Sequence, residues 1–267
     1  MQIRIFRASL LLFLVVLVSS AIAFSQKQQV NDPQAVALAT QAIATLTQGV
    51  AVNDVTLAGS VTWTTGGDNQ SGSAKLKALA GGDSRLDLTL GGAQKSEIRN
   101  NTGLPAGGWI GTDGISHRAA VHNCWTDAAW FFPALSSLAG VNDPSFLYTY
   151  VGQETKNDAT VYHLQTARLW GKPGSAELGL FRQWSTTDFY LDAKSLLPIA
   201  IDFSVHPDDD SNTNISVDIR FADYRSVTGV VVPFHVQKFV NNGLVLDLTV
   251  NSVSINSGLT QNDFVLP

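Results

Sequence analysis

The residues best suited to chemistry lie close together in one segment of this sequence. His117, His122, Cys124 and Asp127 bring imidazole, thiol and carboxylate groups together, and these groups serve as metal ligands and in nucleophilic catalysis. The spacing H-x4-H-x-C, however, matches no established ligand pattern. On a helix, His122 and Cys124 would also point about 200° apart. The sequence therefore predicts no catalytic site, no metal site and no cofactor.

Cys124 is the only cysteine of the chain. A single thiol cannot form a disulfide within the chain, and it cannot build a cysteine-rich metal cage. We interpret Cys124 as a small buried hydrophobic residue.

The acidic stretch DDDSNTN at 208–214 resembles the first half of a calcium-binding loop, with oxygen-bearing side chains at alternate positions. It lacks the central glycine, and Ile219 stands where the loop needs its last glutamate. The stretch is therefore predicted to be a solvated hairpin tip.

The first 25 residues are typical of a secretory signal peptide. Arg4 and Arg7 precede an apolar run at 10–18, and small residues follow it. A retained membrane anchor is the alternative, but the run is shorter than the roughly 20 residues that span a bilayer. We expect residues 1–25 to be removed, and residues 26–267 to form one periplasmic or otherwise secreted domain.

The charge of the expected mature chain limits its partners. Loss of Arg4 and Arg7 leaves 15 basic against 22 acidic residues, a net charge of −7. Such a chain offers no general attraction to polyanions. Nucleic acid is therefore not an expected partner, and the protein is expected to be a monomer.

One helix is predicted before a long series of strands. At 32–49, Asp32 is placed to cap the helix, Pro33 to occupy its first position and Gly49 to end it. The predicted apolar stripe is Val36, Ala39, Ile43 and Leu46.

Apolar residues then alternate with period two, and paired glycines punctuate them at turn spacing. This pattern predicts about ten antiparallel strands in a single strongly curved sheet of the α+β class. Pro198 and Pro233 lie in the most strand-like stretches, so we expect them at strand starts, edges or bulges, in a sheet that bends without closing.

The alternation breaks between 117 and 140. The segment is rich in alanine, and large aromatic residues recur at helical spacing until Pro133. We predict a helical excursion that covers the sheet as a lid.

The C-terminal part resembles a known family. The stretch YLDAKSLLPIAIDF at 190–203, the hairpin FADYRSVTGVVVP at 221–233 and the closing residues to Pro267 are similar to LolA-like outer-membrane lipoprotein-sorting proteins. Arg85, in DSRLDL at 83–88, would correspond to an arginine often found in that family. The excursion and the insertion at 169–188 depart from the minimal pattern.

The resemblance implies an open half-barrel whose concave face, covered by helices, encloses an apolar cavity for acyl chains. The candidate lipid-binding residues are Trp63, Leu88, Trp109, Trp125, Trp130, Phe131, Phe132, Phe203, Ile219 and Phe221.

Two non-catalytic functions fit these expectations. One is a soluble carrier or binding protein for lipid or lipoprotein acyl chains, exchanging them with membrane proteins of the envelope that act as donor and acceptor. The alternative is a sensor or protein-interaction module that uses the same half-barrel.

Overall fold

Thirteen antiparallel strands form one open sheet in the computed structural model of the protein, which describes residues 30–101 and 103–267. The predicted signal peptide at 1–25 lies outside the described residues. The first six strands are β1 Asp54–Thr65, β2 Asp68–Leu79, β3 Ser84–Leu90, β4 Ala93–Asn100, β5 Ala106–Ile110 and β6 Ser116–Arg118. The other seven are β7 Phe146–Lys156, β8 Ala159–Arg168, β9 Thr187–Asp192, β10 Pro198–Val205, β11 Ile215–Val227, β12 Val230–Val240 and β13 Gly243–Ile255.

The strand order is β6-β5-β4-β3-β2-β1-β13-β12-β11-β10-β9-β8-β7. Every neighbouring pair is consecutive in sequence except β1 and β13, which join two meanders in the middle of the sheet. Strands β6 and β7 are the two edges, so the sheet is a curved half-barrel and does not close. The predicted class is confirmed, but about ten strands was too few, because short strands such as β6, with three exposed residues, carry no apolar alternation.

The first helix, α1 (Pro33–Thr47), begins and ends as its capping residues predict. The Asp32 carboxylate accepts hydrogen bonds from the amides of Gln34 and Ala35, and Gln48 adopts the left-handed conformation at the C-terminal end. The helix packs on the sheet, as expected, against β7, β8 and β12. Its fully buried residues are Ala35, Ala39, Ala42 and Leu46.

The buried face of α1 is thus rotated from the predicted stripe. Val36 and Ile43 lie only partly buried at its margin, whereas alanines occupy the centre. Alanine brings the helix backbone close to the sheet, so small side chains decide which face is buried.

Strand register defines the face of the sheet that carries the core, which we call the inner face. Leu57, Leu76 and Leu86 lie opposite one another on β1, β2 and β3, and all three are buried. On the other half, the same face carries Ile219, Ile201, Phe189 and Leu164, paired in register from β11 to β8. Lys238 on β12 connects this row to Leu246 on β13. Alternation with period two thus produces one mainly apolar surface that extends across the sheet.

Residues 119–145, which we call the crossover segment, connect edge strand β6 to edge strand β7. The segment contains short 3-10 turns at Val121–Trp125, Pro133–Leu135 and Ser137–Ala139. The predicted helical excursion was therefore wrong in its local structure: Pro133 lacks an amide donor and the chain bends repeatedly, so an α-helix is not sustained. A second α-helix, α2 (Ala176–Ser185), instead forms in the insertion at 169–188.

Both prolines occupy positions where a donor can be spared. Pro198 is the first residue of β10. Pro233 lies within β12 opposite Tyr224, but the ladder between β12 and β13 begins only at His235. One side of β12 is therefore unpaired at Pro233, as its missing amide hydrogen requires.

Replacing Pro233 and replacing its neighbour Phe234 should have different effects. Pro233→Ala should lower the free energy of unfolding by about 1 kcal/mol or less, because the change acts mainly through the unfolded chain. Phe234 is 8% exposed and packs in the inner-face core, so Phe234→Ala should lower it by about 3–5 kcal/mol. Chemical denaturation of the two variants measures the difference, and equal losses would contradict this assignment.

Candidate functional site

The crossover segment lies on the inner face and contributes aromatic side chains to its core. Phe131 and Phe132 are 1% and 0% exposed, and Trp130 packs edge-on against Phe131 at 5.5 Å between ring centroids. The predicted site residues that share this core are Leu88, Trp130, Phe131, Phe132, Phe203, Ile219 and Phe221, with Trp63 packed against it. The sheet and the crossover segment thus bring eight of the ten candidates together.

Polar contacts hold the crossover segment in place. Ser137 is the centre of this anchor: its amide donates to Asp127 Oδ2 at 2.7 Å, and its hydroxyl lies 2.8 Å from that of Thr166 on β8. Its carbonyl accepts a 2.5 Å hydrogen bond from the hydroxyl of Tyr148 on β7. Burial raises the pKa of Asp127, and the hydrogen bonds from Ser137 offset this only in part.

Trp125 belongs to a different aromatic cluster. Its ring lies 4.4 Å from that of Phe181 on α2 and 5.8 Å from that of Trp170. Trp130 packs in the inner-face core, whereas Trp125 packs against α2, a helix that the sequence did not predict.

An apolar cleft of about 210 Å³ remains open at the end of the inner face beside β4 and β5. Trp63, Leu88 and Trp109 line it, together with Leu86 and the stems of Lys95 and Glu97. Trp109 is 41% exposed and stacks on His117 at 5.3 Å. The cleft is therefore a gap between tryptophans at the rim of the inner-face core.

A cleft of about 300 Å³ lies elsewhere along the crossover segment, beside Trp125. Asp127, Asp143 and Arg168 contribute to its walls. Its lining is as polar as it is apolar, so the smaller cleft is the better site for an apolar ligand.

Charged side chains on the inner face were not anticipated from the sequence. Lys95, Glu97 and Arg99 alternate along β4 and share the face of their partners Leu88, Leu86 and Ser84. On β12, Lys238 lies in register between Ile219 and Leu246. Alternation puts the three charges of β4 on one face, and the register with β3 makes it the inner face. Lys238 lies on a distant strand and shares that face only in the folded sheet.

The residues that suggested chemistry in the sequence do not converge. His117 stacks on Trp109, whereas His122 Nε2 lies 3.1 Å from the Pro207 carbonyl. Burial raises the pKa of the Cys124 thiol, which lies 3.5 Å from the Ala120 carbonyl. Within the described ranges, no cluster of three or more acidic, histidine or cysteine side chains could hold a metal ion.

The acidic stretch at 208–214 connects β10 to β11, as predicted for a hairpin tip. Asp210 accepts local hydrogen bonds from the Asn212 amide and the Thr213 hydroxyl. These contacts shape the turn itself.

Arg85 lies on the outer face and does not contribute to the inner surface. Its guanidinium pairs with Asp87 at 2.9 Å and lies 3.5 Å from the Asp263 carbonyl. If this position corresponds to the family's arginine, that residue has a structural role here.

In the part of the chain that the structure describes, neither α1 nor α2 has the length and apolar character needed to cross a bilayer.

Solved structures with this architecture share its topology at low sequence identity. A candidate outer-membrane lipoprotein-sorting protein domain from Vibrio parahaemolyticus is 14% identical, with a TM-score of 0.54 over 86% of this chain and 96% of that one. A LolA-superfamily protein from Nitrosomonas europaea is 9% identical, with a TM-score of 0.53 over 86% and 97%. The chain has the LolA-superfamily fold.

A DUF1329-family protein from Desulfovibrio piger is similar to the same extent, at 13% identity and a TM-score of 0.53 over 87% of this chain and 96% of that one. No family model matches the sequence, and no curated protein does. The LolA-like resemblance of the C-terminal stretch is thus confirmed at the level of the fold.

Removing the Tyr148 hydroxyl should loosen the crossover segment. Tyr148→Phe leaves the Ser137 carbonyl without this donor, and we expect the free energy of unfolding to fall by about 1–2 kcal/mol. Tyr150→Phe is the matched control, because no hydrogen bond to the Tyr150 hydroxyl occurs among the described residues. Amide hydrogen exchange should quicken at 133–140 in the first variant only, and equal exchange in both would contradict this anchor.

Proposed function

We propose that the protein is an exported, non-catalytic carrier or binding protein for lipid or lipoprotein acyl chains. The observation that supports it most directly is the apolar cleft between Trp63, Leu88 and Trp109, which continues the core of the inner face to the surface. Tryptophan walls around an open apolar gap suit an acyl chain, because burial of each methylene contributes about 0.8 kcal/mol.

The size of the cleft limits what can bind without movement. Its 210 Å³ lies below the roughly 300–1,000 Å³ of common small-molecule pockets. A long chain therefore needs Trp130, Phe131 and Phe132 to give way, and these residues belong to the segment that Ser137 anchors. In this proposal, opening of the crossover segment sets how much chain the protein accepts.

The chemistry of the interior favours binding over turnover. The inner face consists mainly of aliphatic and aromatic side chains, and the groups with catalytic potential are dispersed among local hydrogen bonds. In this proposal, the segment at 1–25 directs export of the protein. Membrane proteins of the envelope then act as donor and acceptor of the acyl chain.

Affinity should rise with chain length for neutral single-chain ligands. For fatty alcohols of increasing length, each methylene should tighten binding about fourfold until the available space is filled, with little change between low and high salt. Displacement of a fluorescent probe by the alcohols measures this series. An affinity that ignores chain length, or no binding at all, would overturn the carrier proposal in favour of a protein-interaction module.

Two similarly exposed tryptophans provide a matched comparison. Trp109, at 41% exposure, walls the cleft, whereas Trp170, at 44%, packs on Trp125. Trp109→Ala should weaken probe binding about tenfold or more, Trp170→Ala should leave it unchanged, and both should melt near the wild-type temperature. Equal binding by the two variants would remove the cleft from the proposal.

A further inference from the structure

The inner face carries two amines without ordinary partners. Lys95 Nζ lies 3.6 Å from the centroid of the Trp63 ring, and Lys238 Nζ lies 4.7 Å from that of Trp130. Neither amine has a hydrogen bond or an ion pair within 4 Å among the described residues. Burial lowers the pKa of both lysines, and for Lys238 the attraction of Glu97 offsets part of the decrease.

The curvature of the sheet brings these charges together. Strands β1 and β4 are three positions apart, which corresponds to about 14 Å on a flat sheet. The Lys95 amine nevertheless reaches the Trp63 ring of β1. Trp63 pairs with Leu246 on β13, and Leu246 in turn pairs with Lys238 on β12, so Lys238 lies in the same row of the inner face as Trp63. The two amines therefore flank the same end of the concavity.

Positive charge exceeds negative charge at this end. Arg99 has its partners within the protein: its guanidinium lies 3.1 Å from the Glu97 carboxylate and donates to the Asn123 carbonyl at 2.8 Å. Glu97 is thereby paired, and although burial acts to raise its pKa, Arg99 and Lys238 hold that pKa below its usual value. This end of the inner face thus carries three basic groups, Lys95, Arg99 and Lys238, against the one carboxylate of Glu97.

Contact with an aromatic face accounts for only part of this arrangement. A cation–π contact attracts an ammonium group but satisfies none of its N–H donors. Partly buried donors without acceptors are unfavourable. A ligand with acceptor atoms would provide hydrogen-bond partners for the ammonium groups of both lysines. Both amines also stand beside tryptophans that would contact an acyl chain.

We propose that Lys95 and Lys238 bind the anionic headgroup of a single-chain amphiphile, a carboxylate or a phosphate monoester, whose chain lies in the cleft between Trp63 and Trp109. This inference rests on the proposed function and specifies its ligand class. The negative charge of the whole chain opposes adsorption to anionic surfaces in general. The local positive charge would favour single-chain amphiphiles with an anionic headgroup over neutral ones.

The test compares ligands of equal chain length on the full chain. Hexadecanoate and a 16-carbon lysophosphatidate represent the two sources of negative charge, and hexadecanol is the neutral reference. Isothermal titration of the wild type should show at least one anionic ligand binding about tenfold or more tighter than the alcohol. The tighter of the two identifies carboxylate or phosphate as the preferred headgroup.

Substitutions then locate the charge effect. Lys238→Gln and Lys95→Gln should each weaken binding of the anionic ligand about tenfold while leaving the alcohol unchanged. Lys75→Gln removes the same charge from an exposed position on the outer face and should change neither. A thermal melt of each variant excludes unfolding as the cause, and either lysine variant alone suffices if the other does not fold.

Each result separates the two proposals. If the wild type binds the anionic ligands and the alcohol with equal affinity, the headgroup site is overturned and the acyl-binding function stands. The same holds if Lys95→Gln and Lys238→Gln bind each ligand with the wild-type affinity. Failure of all three ligands to bind would overturn the function, and the headgroup site with it.

Discussion

Burial of the inner face is the constraint on which the rest of the structure depends. A sheet of thirteen strands that does not close presents one face made of leucine, isoleucine, valine and phenylalanine, and water cannot cover such a surface without a large free-energy cost. Curvature of the sheet turns this face upon itself, and α1 covers part of it. The remaining area is covered by the chain that joins the two open edges.

That connection explains how core and candidate site come to share residues. Because β6 and β7 are opposite edges, the crossover segment must pass across the concavity, and it carries Trp130, Phe131 and Phe132 into the core. The Ser137 anchor fixes its path, and the cleft beside Trp109 is what the segment leaves uncovered. Lys95, Glu97 and Arg99 lie on the inner face at this end.

Sequence reasoning succeeded where the signal was local or periodic. Asp32 and Pro33 placed the start of α1, Pro198 the start of β10, and period-two alternation gave the class of the sheet. It failed where partners are distant: Lys238 acquires its neighbours only when β12 curves toward β4, and Trp125 acquires its own only through α2. Alternation showed only that Lys95, Glu97 and Arg99 share one face of β4, and the register with Leu88 and Leu86 on β3 makes that face the inner one.

The position of a bound acyl chain is the decisive test of ligand binding on the inner face. A crystal structure of the mature protein with a fatty acid brominated near its methyl end would show the bromine by anomalous scattering. We expect the bromine on the inner face, with the chain passing between Trp63 and Trp109. A bromine on the outer face, or an empty cleft at a ligand concentration that saturates binding in solution, would contradict it.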